Sequence, residues 1–404
     1  MAVRKRSDNR NKADAVSSVL RVDRRFLRET LAGLIRINSV NPSLVPGAPG
    51  EAAIARFLAA QLKALDAEIH LHEPAPGRTS VVGIFRGAGD GRSLMLNAHV
   101  DTVGVEGMAE PFSARVRSGR IYGRGSYDMK GSLAACLAAA KVLRDAGVKL
   151  AGDLLIAAVA DEEYASLGTA DLLRHYRPEA AIVTEPTHLQ LCLAHKGFVW
   201  LEVETLGRAA HGSRFDLGVD ANLRMGRFLA ELEKLEQQLR RRRPHPLVGP
   251  PSLHAALLAG GTGLSTYAAR STVKIERRTI PGETVAQVRR EIRAILTRLR
   301  ARDTSFRARM RTLLVREPFE VSRKAAVVRA VESAAAAVLG RRPGVCGQGP
   351  WMDAALLAAA GVETVVIGPA GGGAHAAEEW VELDSVEKLA AILAHAAVEY
   401  CGRA

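Results

Sequence analysis

The 404-residue chain has few aromatic side chains: Phe, Trp and Tyr together make up 4%. A core in a chain of this size must then be built from Ala, Val, Leu and Ile, within an ordinary globular content of 48% hydrophobic residues. Cysteine is scarce as well. Cys136, Cys192, Cys346 and Cys401 are widely scattered, which argues against a disulfide framework or a zinc-cysteine site. No apolar run approaches the ~18 residues of a membrane helix, so no membrane partner is expected. The opening stretch "MAVRKRSDNRNKADAVSS" is basic with no apolar segment behind it, unlike a signal peptide. It reads as a basic disordered tail over residues 1–20, and the cytoplasm is the expected location.

Acidic residues are outnumbered, 43 against 56 Lys and Arg, leaving a net charge of +13. Nucleic-acid binding must therefore be weighed. Much of the excess is arginine in "LRRRRPHP" (Leu239–Pro246) and between Arg289 and Arg311. Val285, Val288, Ile292, Leu296 and Leu299 recur there at helical spacing, which leaves most of those arginines on a solvated face. With little aromatic interleaving and no nucleic-acid motif, no nucleic-acid partner is expected. The charge instead favours a small anionic substrate.

Two patterns divide the chain. From about residue 26 to 196, continuous apolar runs alternate with helical stretches. The runs are "SVVGIF" (Ser80–Phe85), "SLMLNA" (Ser93–Ala98), "LLIAAVA" (Leu154–Ala160) and "AAIVT" (Ala180–Thr184). Continuous runs mark strands covered on both faces, so an α/β fold with a mostly parallel sheet and helices on both sides is expected. At Gly197 the pattern changes. A strand, a helix carrying Met225, Phe228, Leu229, Leu232 and Leu235 on one face, the stretch "SLHAALLAGG" and the alternating "STVKIERR" follow. A helix after Pro281 and a strand near Thr304–Val315 complete a β-α-β-β-α-β order, the ferredoxin-like α+β pattern. Residues 197–315 thus read as an inserted domain, with 21–196 and 316–404 forming one α/β domain around it. "ETVVIG" (Glu363–Gly368) is a further buried strand of the latter.

Ligands of open α/β sheets bind beyond the carboxyl ends of the strands. Here those ends read "HVD" (His99, Asp101), "DEE" (Asp161, Glu162, Glu163) and "EPT" (Glu185), with "PAGGGAH" (His375) after a fourth. Each alone has a plain reading as a hydrogen-bonded pair, a solvated acid or a turn. Together they gather two imidazoles and at least three carboxylates at one sheet edge, a costly crowd of like charge unless cations sit within it. Mixed His and carboxylate donors suit zinc or a related first-row divalent ion such as cobalt or manganese. The donors are enough for two ions, one at His99 and Glu185 and one at Glu163 and His375. "YGRGSYDMKGS" (Tyr122–Ser132) resembles a phosphate loop, but Gly131 follows Lys130 instead of preceding it, so that motif fails. Its Asp128 is the candidate bridge between two ions. Asp101 is then placed to accept the second ring N–H of His99, and Glu162 to act as general base.

These motifs, in this order and over nearly the whole chain, resemble the M20 family of co-catalytic zinc metallopeptidases. That group includes acetylornithine deacetylase, succinyl-diaminopimelate desuccinylase, aminoacylases and glutamate carboxypeptidases. The resemblance implies metal ligands at His99, Asp128, Glu163, Glu185 and His375, a general base at Glu162 and a partner to it at Asp101. It also implies a cis peptide bond after Asp128. The inserted domain matches the family's lid, which implies a homodimer. Within it "GRAAHGS" places His211 where relatives polarise the scissile carbonyl, often across subunits, and "ERRTIPGE" places Arg278 where they grip a substrate carboxylate. Arg278 should share a strand face with Lys274 and Glu276. In place of an asparagine common in relatives the chain has Ser265 or Thr266. The implied reaction is hydrolysis of an amide beside a free carboxylate, with an N-acyl amino acid as substrate. A dipeptidase or carboxypeptidase is the alternative, and a non-catalytic binding protein the remote one.

Overall fold

The computed structural model describes residues 20–404, so all but the last residue of the expected tail lies outside the described residues. The chain divides into two compact units. The first runs up to Leu193 and takes in Val321–Cys346 and Met352–Ala404; the second is Ala194–Glu320 with Gly347–Trp351. The second unit therefore begins three residues earlier and ends five later than the pattern change locates it, and it gains a short segment from far downstream.

Unit one opens with α1 (Arg24–Arg36), begun by the Asp23 side chain, which accepts the N–H groups of Arg25 and Phe26. Next come α2 (Ala52–Ala64), β1 (Glu68–His72), β2 (Ser80–Phe85), β3 (Leu94–His99), β4 (Arg115–Arg117) and β5 (Arg120–Tyr122). They are followed by α3 (Gly131–Asp145), β6 (Leu154–Val159), α4 (Leu167–His175), β7 (Ala180–Val183) and β8 (Leu191–His195). Unit two contributes β9 (Gly197–Leu206), α5 (Ala221–Arg240), β10 (Ser252–Gly260), β11 (Arg270–Thr279), α6 (Val285–Arg302) and β12 (Arg307–Arg316). After the short β13 (Phe319–Glu320) come α7 (Ala326–Leu339), β14 (Val345–Gln348), α8 (Ala354–Ala359), β15 (Glu363–Val366), β16 (Gly371–Gly372), β17 (Trp380–Glu382) and α9 (Leu383–Cys401).

The main sheet of unit one runs β1-β2-β6-β3-β7-β15-β8. Its centre, β6, β3, β7 and β15, is parallel, and β2 and β8 flank it in antiparallel sense. Every residue of β3 and β6 is buried, which is why both read as unbroken apolar runs. On the helical layer α9 packs against α3 and α7, with Ala in place of bulky side chains over much of the contact. A small antiparallel sheet, β16-β17-β5-β4, sets Trp380 opposite Tyr122. That pairing fixes the chain just after β5, the glycine loop of Asp128, against the segment before β17.

Unit two is a four-stranded antiparallel sheet in the order β10-β11-β9-β12, the arrangement of a ferredoxin-like β-α-β-β-α-β chain. Val199, Leu201, Val203, Val273 and Ile275 meet Phe228, Leu232, Ile292 and Ile295 of the two helices in its core. Arg277 is also inside, fully buried, with its guanidinium on Glu283 and Glu291. The strands missed in sequence have identifiable causes. β1, "EIHLH", is a half-exposed edge strand, and β8, "LCLAH", runs without a break into the unit boundary. Among the described residues no helix is long and apolar enough to cross a membrane.

Candidate metal centre

Parallel neighbours end side by side, so their carboxyl-terminal residues meet. β3 ends on His99, level with Val159 of β6, and Glu162 and Glu163 follow that strand at once. β7 leads through Thr184 into Glu185, and the loop between β15 and β17 carries His375. Asp128 arrives separately, from the turn Ser126–Lys130 ahead of α3, and the Asp128–Met129 peptide bond is cis. The structure thus brings His99, Asp128, Glu162, Glu163, Glu185 and His375 together.

Their contacts fall into two halves joined by one carboxylate. His99 Nε2 is 3.0 Å from Asp128 Oδ1 and 3.6 Å from Glu185 Oε1. His375 Nε2 is 3.4 Å from Asp128 Oδ2 and 3.1 Å from Glu163 Oε2. Asp128 therefore turns one oxygen to each imidazole. The donor atoms of His99, Asp128 and Glu163 lie within 4.8 Å of one another, as do those of His99, Glu162 and Glu185. Glu162 is thus also within ligating reach.

The charges show what this arrangement needs. Burial, reinforced by neighbouring carboxylates, raises the pKa of Glu162, Glu163 and Glu185 above the usual range. Burial resists a charge on His99, but Asp128 and Glu185 outweigh it and raise its pKa. Hydrogen bonds to Asp128 and Glu163 push His375 up to about 10. For Asp128 burial works against ionisation, yet the two histidines hold it below the usual carboxylate range. The pocket calls for positive charge, as protons or as cations. Two imidazoles and four carboxylates sharing a central aspartate fit a pair of first-row divalent ions.

The surroundings correct one expectation. The Asp101 carboxylate is not the acceptor for His99: Nδ1 is 2.9 Å from the Asp101 main-chain oxygen and 3.6 Å from its Oδ1. The carboxylate is drawn instead to Asn41 Nδ2 at 2.8 Å and to the N–H groups of Glu162 and Glu163 at 3.1 and 3.2 Å. Asp101 thus orients both glutamates while its carbonyl fixes the His99 tautomer.

Further anchors were not singled out in sequence. Asn41 also reaches Asp161, which takes a 2.6 Å bond from the buried Arg78, itself held by Glu51. Glu379 accepts the N–H groups of Gly125, Tyr127 and Asp128 at 2.9–3.0 Å and the Arg124 guanidinium at 2.7 Å. No spacing rule ties it to the glycine loop, which lies about 250 residues earlier.

Two expected residues belong to unit two. His211 is exposed, with Nδ1 2.8 Å from Ser213 Oγ, and it bridges to Thr266 while the neighbouring Gly212 N–H donates to Ser265. Arg278 lies on the open face of β11 with Lys274 and Glu276, pairs with Glu276, and covers the Phe198 ring at 5.3 Å.

A parallel sheet that converges imidazoles and carboxylates in this way is the layout of a metallohydrolase. The chain belongs to the peptidase family M20/M25/M40, whose family model matches residues 95–399. Acetylornithine deacetylase of Myxococcus xanthus is 29% identical over 387 residues, covering 93% of this chain and 98% of that protein. N-formyl-4-amino-5-aminomethyl-2-methylpyrimidine deformylase of Bacillus subtilis (strain 168) is 30% identical over 275 residues, 63% of this chain and 64% of that one. The crystal structure of aminopeptidase PepT from Bacillus cereus ATCC 10987 shares the fold, with a TM-score of 0.77 at 18% identity over 94% of this chain and 99% of that one.

The charges set a pH dependence for the metal-free chain. Glu162, Glu163 and Glu185 have raised folded values, so the stability from their protonation is complete below ~4.3 and lost as pH rises through those values. His375 contributes fully below ~6.5 and less as pH climbs through about 10, and His99 acts in the same direction. Asp128 has the opposite sign, but its contribution changes only in acid. From about pH 5 to 9 the unfolding temperature of the chelated chain should fall, and its deficit against zinc-loaded chain should widen. Scanning calorimetry of both forms checks this; a constant or narrowing deficit contradicts it.

Proposed function

We propose that this enzyme hydrolyses an amide bond beside a free carboxylate, removing the acyl group from an N-acyl amino acid. The observation that carries the reading is Asp128, with one oxygen toward His99 and the other toward His375, beside a half-buried Glu162. The relatives named above are a deacetylase and a deformylase, and both names describe removal of an acyl group from an amine. A dipeptidase or carboxypeptidase activity is the second reading, favoured by the fold shared with an aminopeptidase. A panel of N-acetyl, N-succinyl, N-formyl and dipeptide substrates separates the two. Turnover of dipeptides alone would reject the deacylase reading.

His99, Asp128 and Glu185 would hold one divalent ion, zinc foremost, and Glu163, His375 and Asp128 the other. When bound, such ions supply Lewis acidity to the scissile carbonyl and the attacking water. The chain's own residues do the remaining work. Glu162 takes the proton from the water and returns it to the leaving amine. Asp101 holds Glu162 in place through its N–H. Arg278 grips the substrate carboxylate with its planar guanidinium, and His211 donates to the oxyanion. A homodimer through unit two completes the reading. β10 is an edge strand exposed from His254 to Gly260, and Phe215, Leu223, Leu257, Leu258 and Leu264 are exposed large apolar residues of the same unit.

Glu162→Gln should lower kcat by roughly 10²–10⁴ with bound metal unchanged. Loss of metal with activity would make Glu162 a ligand instead. Arg278→Ala should raise KM for N-acyl amino acids roughly 10- to 150-fold, the worth of a charge-assisted hydrogen bond, and leave KM for their amides unchanged. Equal KM changes for both substrates would remove the carboxylate grip. Light scattering should give twice the 43.2 kDa chain mass. If His211 acts across subunits, mixing inactive His211→Ala and Glu162→Gln chains should restore activity. A single-chain mass would end the dimer reading.

A further inference from the structure

A second cluster of metal-capable side chains lies in unit one, at an edge strand that β2 separates from β6 and the other strands carrying the centre above. His72 is the last residue of β1, the edge strand of the main sheet. Asp171 and His175 stand one turn apart on α4, at positions i and i+4, and so project from the same helix face. The donor atoms of the three lie within 4.8 Å of one another.

The separations are specific. Asp171 Oδ2 is 3.7 Å from His72 Nδ1, and Asp171 Oδ1 is 4.0 Å from His175 Nε2. Neither is a hydrogen bond. Donors held at ~2.0–2.2 Å around a tetrahedral zinc ion sit roughly 3.3–3.5 Å apart, so small rotations of the three side chains would bring them to ligand spacing. The rings of His72 and His175 lie 4.9 Å apart at 41°, converging on the carboxylate without stacking flat. His72 Nε2 lies 2.9 Å from the Tyr176 hydroxyl. That bond holds the ring and leaves Nδ1 toward Asp171, as an outer partner does for a metal-bound imidazole. Burial, and then the neighbouring His175, lower the His72 pKa, which leaves a lone pair free at neutral pH. Among the described residues the arginine paired with Asp171 is Arg174, which reaches it only at 3.8 Å and has a side chain 79% exposed, free to swing into solvent.

We propose that His72, Asp171 and His175 form a third metal site, for zinc or a similar first-row divalent ion, that staples edge strand β1 to the last turn of α4. Two imidazoles and one carboxylate with a position open to water suit zinc, nickel or copper better than calcium or magnesium. The placement gives the staple a purpose. Among the described residues β1 pairs with one strand, β2, and α4 is the helix that follows the Glu162–Glu163 loop, so one ion would tie the sheet edge to the helix behind that loop. The proposal is independent of the reaction assigned to the other centre.

The test uses full-length chain equilibrated with buffered zinc, its metal content measured by elemental analysis. Wild type should hold one ion more than His175→Ala and one more than Asp171→Asn, which keeps the side-chain shape. A Glu163→Ala/His375→Ala chain should keep the ion that these two lose. In that background zinc should raise the unfolding temperature, and adding His175→Ala should shrink the rise, leaving what the ion at His99, Asp128 and Glu185 supplies. Turnover by His175→Ala alone should stay within about twofold of wild type. Equal zinc content in wild type, His175→Ala and Asp171→Asn would overturn the proposal. So would a zinc-dependent rise in unfolding temperature of the same size with and without His175 in the Glu163→Ala/His375→Ala chain.

Discussion

Unit one depends on a repulsion that must be held in place. Four carboxylates, Asp128, Glu162, Glu163 and Glu185, are crowded with the buried His99 and the exposed His375 beyond one sheet edge, the carboxylates largely shielded from water. Such a group takes up protons or cations, and it keeps its geometry only where its backbone is fixed. The fixing is done from outside by other buried charges. Glu379 holds the glycine loop through three main-chain N–H groups, and Arg124 neutralises it. Asp101 holds the two glutamates, and the chain Asn41, Asp161, Arg78 and Glu51 braces Asp101 from behind. The site is thus a shell of charge within a shell of charge, both set by where parallel strands end.

That dependence explains what could be read from sequence. Parallel central strands are buried on both faces, so they appear as continuous apolar runs and their ends are easy to find. His99, the Glu162–Glu163 pair and Glu185 each follow such a run within a few residues, and the α/β class follows from the same runs. The role expected of the Asp101 carboxylate failed because the group that meets His99 is a main-chain oxygen, which every residue has and no motif displays. Glu379 and Arg78 were silent for a related reason. Each is an ordinary charged residue whose partner is far away in the chain.

The His72 cluster shows the same limit in a different form. His72 stands about a hundred residues before Asp171 and His175, and β1 is a short, half-exposed strand whose alternation is weak. Only the pairing of β1 with β2 at the sheet edge brings His72 to the helix that carries Asp171 and His175. Periodicity could show a helix face but not which strand it would meet. In unit two the reverse held. Helix faces and period-two strands follow one another there without interruption, so its β-α-β-β-α-β order was legible although its first and last residues were not.

One consequence follows from the adjacent arginines of β11. Arg277 points into the core of unit two, where Glu283 and Glu291 enclose it, and Arg278 points out beside Glu276. A shift of the strand by one residue would turn Arg278 inward and Arg277 outward, so an arginine would be buried in either alignment. The buried arginine alone therefore cannot tell the two alignments apart. What can is the pair of aliphatic residues upstream: the shift would turn Val273 and Ile275 outward and drive Lys274 and Glu276 inside. The aliphatic half of the strand therefore acts as the reading frame for its charged half, and Val273 and Ile275 decide which of two chemically identical neighbours is buried and which is free to meet a ligand.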